Sequence, residues 1–140
     1  MKLTRTSKRA SGMTLLELTV VILVLLSLIS ILFVGARAWK KGSDRSANIM
    51  NIRNVQQAVR AHQNMNGLLE GAALAETVIF GNGTTEGYLK EPTPPSADIA
   101  AAYTYTGTVP GIGTLFTSST GTPTAGGTAA DYAPTGTQDW

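Results

Sequence analysis

The chain has 140 residues, 43% hydrophobic and 14% charged, which is room for one modest domain and is apolar for a soluble protein of that size. It has no cysteine and one histidine, His62, which excludes a disulfide framework, a thiolate metal site, a cysteine nucleophile and a multi-histidine zinc site. The net charge of +2 hides a segregation: residues 1–12 carry +4, residues 37–60 carry +5, Glu17 stands alone, and residues 61–140 carry −6.

The first element is a basic leader, residues 1–12, holding Lys2, Arg5, Lys8 and Arg9 without an acid. Leu18 to Ala36 follows as 19 consecutive uncharged residues whose only polar members are Thr19, Ser27 and Ser30. As a helix this run spans about 28 Å, close to the hydrocarbon thickness of a bilayer. A core helix in so small a protein needs a polar face for water, and this run has none. It reads as membrane-inserted, with Leu18, Val21, Leu25, Ile29 and Phe33 among its core-forming side chains. Both flanks are basic, and the leading one conventionally dominates, so the N-terminus is expected in the cytoplasm and the acidic part outside.

Residues 37–66 change texture. Ile49, Ile52, Val55, Val59 and His62 recur at three- and four-residue steps, while Arg45, Asn51, Arg53, Gln57 and Arg60 fall on other faces. This predicts an amphipathic helix with an apolar stripe from Ile49 to Met65, stopped at Asn66-Gly67. Unbroken from Met13 to Asn66, the helix is about 81 Å long.

Residues 67–140 read as a small β-rich head with Gly/Thr-rich C-terminal loops. Thr77 to Phe80 is a β-prone run, and Tyr103-Thr104-Tyr105-Thr106 places two aromatics on one face. Val109-Pro110-Gly111-Ile112 suits a tight turn with positive φ at Gly111, joining the Tyr103 strand to residues 113–117. So few core formers predict that the helix stripe covers one face of the sheet. The expected fold class is α+β: a long N-terminal helix, apolar in its first half and amphipathic in its second, packed on a small antiparallel sheet.

Glu17 is the anomaly of the apolar segment. A carboxylate at bilayer depth costs at least about 2.5 kcal/mol, so it needs a partner or a functional reason. No cation occurs in the next 19 residues, and those of the leader belong in water. One partner is a new α-amino group on a staggered neighbouring copy, created by cleavage between Gly12 and Met13. The other reading holds Glu17 at headgroup level where the helix starts.

The segment Gly12-Met13-Thr14-Leu15-Leu16-Glu17-Leu18 resembles the prepilin peptidase site of type IV pilins and type II secretion pseudopilins. The likeness continues through residues 48–59 of the amphipathic helix and more faintly to residues 87–95 and 103–105. It implies cleavage after Gly12, N-methylation of Met13 and a role for Glu17 in filament assembly. Implied partners are other copies and related pilin-like subunits, the prepilin peptidase/methylase, an inner-membrane assembly platform and, before assembly, membrane lipid. The implied location is the bacterial inner membrane, single-pass with a periplasmic head, and then a pilus or pseudopilus. Met13 stands where the family usually has Phe. Leu26 and Val34 stand where it often has Gly and Pro, leaving Gly35 as the weak point of the helix. The tail from Gly126 through Asp131 to Asp139 and Trp140 is faintly similar to the calcium loop of major pseudopilins, but most acidic ligands are absent. Asp131 and Asp139 are its only weak metal candidates.

Other readings follow other residues. Ala36-Arg37-Ala38 has the small-x-small form of a signal peptidase site before Trp39, making a secreted or signal-anchored envelope protein without a filament role the alternative. The apolar run exceeds an ordinary signal core, and that reading leaves Glu17 unexplained. Arg37, Lys40, Lys41 and Arg45 suit headgroup anchoring or pairing with acidic heads better than nucleic acid, and no nucleic-acid partner is expected. His62 on the apolar stripe reads as structural, the head's acids are scattered, and the paired glycines lack a following helix. No enzyme, cofactor or metal requirement is therefore expected.

Overall fold

The computed structural model describes residue 12, residues 14–97, residue 99, residues 102–119 and residues 131–140. Met13 lies outside the described residues, as do the leader and most of the Gly/Thr-rich tail. The chain forms two compact units, Met1–Trp39 and Lys40–Trp140. Four elements occur among the described residues: α1 (Leu15–Asn66), α2 (Glu76–Phe80), β1 (Thr104–Tyr105) and β2 (Thr117–Ser118). One long helix with a small antiparallel two-stranded sheet makes the fold α+β.

The 52 residues of α1 contain no proline, the first in the chain being Pro92. In its apolar part, Thr19, Ser27 and Ser30 turn their hydroxyls back onto the carbonyls of Leu16, Val24 and Leu26 at 2.7–2.8 Å. Their polar atoms are satisfied inside the helix, and the outer surface stays apolar. The helix stops where expected: Gly67 has φ +61°, and the Leu68 N–H donates to the Gln63 carbonyl at 3.0 Å. That six-to-one bond and left-handed glycine form a Schellman stop.

In the second unit, Val55 and Val59 of α1 meet Leu74, Ile79, Val109 and Phe116 in one buried cluster. Ile99 and Tyr132 form a smaller one. The buried face of α1 within this unit is Asn48, Ile52, Val55, Gln56 and Val59, so two of its five residues are polar. Met65, assigned to the stripe, is 74% exposed, because the core ends with Val59 and the helix continues past it.

The head differs from the sequence expectation in three places. Thr77 to Phe80 is not a strand: it lies in α2, which places Ile79 in the core, and the Gly81 N–H donates to the Thr77 carbonyl at 2.8 Å. Packing of one apolar side chain outweighs the β preference of so short a run. The tight turn is shifted from residues 109–112 to 111–114, with the Thr114 N–H on the Gly111 carbonyl and positive φ at Gly113 rather than Gly111. Val109 cannot join the turn because its N–H and C=O are paired with Ala72 and Gly71 at 2.9 Å.

The sheet is also smaller than expected. Its register is Thr104 with Ser118 and Tyr105 with Thr117, and residues 113–116 are outside it. The helix stripe therefore does not cover a broad sheet face. It covers side chains delivered by α2 and by irregular segments, closed by isolated bridges between Ala73 and Thr108 and between Gly81 and Glu86.

Candidate functional site

The residues singled out at the start of the chain form a local constellation. Gly12 is exposed with open space around its α-carbon. Thr14 precedes the first helical residue, and its backbone N–H donates to Glu17 Oε2 at 2.9 Å. The Glu17 N–H in return donates to Thr14 Oγ1 at 3.3 Å. This reciprocal pair is a capping box, satisfying two amides that the first helical turn leaves without acceptors. The carboxylate also sits in the first turn, where the helix dipole favours negative charge. The Thr14-x-x-Glu17 spacing is the sequence signature of this box, a signal that charge burial alone does not carry.

Among the described residues Glu17 makes no ion pair, and Thr14 is its polar partner. Leu18, Val21, Leu25, Ile29 and Phe33 are 44–66% exposed, and the large apolar side chains between them are comparably open. The apolar half of α1 is thus long and apolar enough to cross a membrane, with its most apolar window entirely unburied within the chain.

The second constellation lies on the far half of α1, where polar side chains hold the head's irregular segments. Asn48 is fully buried: its Oδ1 accepts from the Tyr103 hydroxyl at 2.7 Å and its Nδ2 donates to the Tyr132 carbonyl at 2.9 Å. Asn51 Nδ2 donates to Tyr103 Oη and to the Thr93 carbonyl. Gln56 uses its amide as a strand would, donating to the Thr114 carbonyl at 3.1 Å and accepting from the Phe116 N–H at 3.0 Å. Arg60 donates to the carbonyls of Pro110, Gly111 and Trp140 and to Gln63 Oε1, all within 3.1 Å. Asn51 and Arg60, which periodicity places off the apolar stripe, are head-fastening residues. Their polar side chains reach sideways, Arg60 to backbone carbonyls that the sheet leaves unpaired and Asn51 to the Thr93 carbonyl and the Tyr103 hydroxyl.

The tail from residue 131 to 140 is fastened to the same helix. Lys41 pairs with Asp131 at 3.3 Å and lies 5.7 Å from the Tyr132 ring centre, while Arg53 stands 4.7 Å from that of Trp140. Lys41, expected to face lipid headgroups or other subunits, thus has partners in its own unit. Asp131 is engaged in that pair and Asp139 is exposed. No group of three or more His, Cys, Asp or Glu that could hold a metal ion occurs among the described residues.

His62 is half-exposed at the flank of the core rather than within it. Its Nδ1 lies 3.1 Å from both Tyr88 Oη and Asn66 Nδ2, and its ring meets Tyr88 edge-on at 5.3 Å. The Asn66 amide nitrogen can only donate, so in this arrangement Nδ1 is the accepting nitrogen.

Burial raises the pKa of Tyr103, and burial with the nearby carboxylates of Glu91 and Glu76 raises that of Tyr105 further. Both phenols are structural: Tyr105 stacks on Phe116, meets Phe80 at a tilt of 48° and reaches Glu91 at 3.3 Å.

No family model matches the chain, no curated protein matches its sequence, and no solved structure matches its fold.

Proposed function

We propose that the chain is a prepilin-like structural subunit, cut after Gly12, N-methylated at Met13 and polymerised through its apolar helix into a type II secretion pseudopilus or type IV pilus-like filament. The observation that carries this reading is a carboxylate, Glu17, at the head of an apolar helix open on every side, five residues after Gly12. Such a surface requires a non-aqueous surrounding, which lipid supplies before assembly and like helices supply afterwards. A cut after Gly12 removes the +4 leader, leaves side chains of net −2, and creates an amine at Met13 able to pair with Glu17 of a neighbour. The protein's work is then mechanical, in the inner membrane and the filament, with a periplasmic head.

Mass spectrometry of the mature N-terminus tests it directly. A methylated Met13 start is expected; a Trp39 start indicates signal peptidase cleavage and a Met1 start an uncleaved anchor, and either overturns the proposal. Gly12→Leu is expected to leave an unprocessed, membrane-trapped precursor.

A further inference from the structure

The outward side of α1 and the fastened tail border an open cleft of about 530 Å³, within the usual range for small-molecule sites. Arg53, Gln57, Ala61 and Asn64 follow one another along one side of the helix, and Asp139 and Trp140 form the opposite wall. Ala61, small and exposed, leaves a dip between the amides of Gln57 and Asn64. The residues that carry those amides are about 10 Å apart along the helix axis, comparable to the length of a disaccharide. Neither amide, nor the Asp139 carboxylate, makes a side-chain hydrogen bond among the described residues. The Trp140 ring is held in place by Arg53 at 4.7 Å and by the Arg60 bond to its backbone oxygen at 3.1 Å.

The lining selects among ligand classes. An inorganic anion meets the Asp139 carboxylate, while of the two guanidinium groups in the lining Arg60 already serves four acceptors and Arg53 lies against the Trp140 ring. An apolar ligand strips water from two amides and a carboxylate without replacing their hydrogen bonds. A polyhydroxylated ring satisfies both demands: hydroxyls that donate and accept suit the amides and the carboxylate, and a C–H face suits an indole. We propose that this cleft binds a short neutral saccharide, independently of whether the chain forms filaments.

The test uses the full chain in a zwitterionic micelle without sugar headgroups and with a Trp39→Phe change, leaving Trp140 as the only tryptophan. Cellotetraose and chitotetraose are the probes, with inorganic phosphate as the third titrant. At least one saccharide is expected to change Trp140 emission saturably, with a dissociation constant around the millimolar range. Saturation-transfer NMR on the unsubstituted chain is expected to show the same contact. Gln57→Ala with Asn64→Ala is expected to weaken binding tenfold or more without changing the unfolding midpoint. Absence of saturable binding by both saccharides, a response to phosphate alone, or undiminished affinity in the double variant each overturns the proposal.

Discussion

Glu17→Gln separates the two roles that converge on one side chain. In the chain by itself Glu17 caps α1, accepting from the Thr14 N–H at 2.9 Å while its own N–H reaches Thr14 Oγ1 at 3.3 Å. Glutamine serves equally in a capping box, so the substitution preserves those two bonds and removes only the charge. Losing the cap altogether costs about 1 kcal/mol, a magnitude that frays the first turn without preventing a 52-residue helix. Removing one partner of a desolvated ion pair costs about 3–5 kcal/mol, which is two to three and a half decades, roughly 10²- to 4 × 10³-fold, in the equilibrium for adding a subunit. The proposed charge pair therefore predicts that Glu17→Gln is processed normally and is nearly absent from filaments. Thr14→Ala weakens the cap and keeps the charge, so it is expected to assemble almost as well as the unsubstituted chain. Filament yield after shearing, normalised to mature subunit in the membrane, measures both. Wild-type assembly of Glu17→Gln combined with failure of Thr14→Ala would refute the charge pair and leave capping as the function of Glu17.

Three further outcomes concern the head. Gln56→Ala leaves the buried Phe116 N–H and the Thr114 carbonyl without partners, and is expected to cost about 2–3 kcal/mol, seen as a melting midpoint lower by roughly 10–20 °C in near-UV dichroism. A β-carbon at Gly87 overlaps the backbone of Phe80 and Gly81, so Gly87→Ala is expected to destabilise the head by about 2–3 kcal/mol and to expose the Leu89 amide, bonded to the Ile79 carbonyl, to hydrogen exchange. Tyr103 and Tyr105 have raised pKa values in the folded state, so the unfolded chain loses its phenolic protons first as pH rises. Their contribution is complete below the ordinary tyrosine pKa of about 10 and declines above it. Unfolding midpoints are expected to fall through that alkaline range and to fall less in Tyr105→Phe.

Local chemistry determined the long helix from the residues alone. Nineteen uncharged residues without proline, a Thr-x-x-Glu start and an Asn66-Gly67 stop each act over a turn or two, and the helix boundaries follow them. The same locality makes Glu17 conspicuous in the sequence, as the one charge in an apolar run. Packing decided the head. Thr77 to Phe80 became helical to place Ile79, and Val109 left the turn because Ala72 and Gly71 claim its backbone. Asn48, Asn51, Gln56 and Arg60 carry no hydrophobic signal, yet they hold the head together. Their acceptors and donors are backbone groups of residues 93–140, brought near only by the completed fold. Apolar periodicity records which side of a helix avoids water. It is silent about which polar side chains will find partners there, because that depends on contacts distant in sequence.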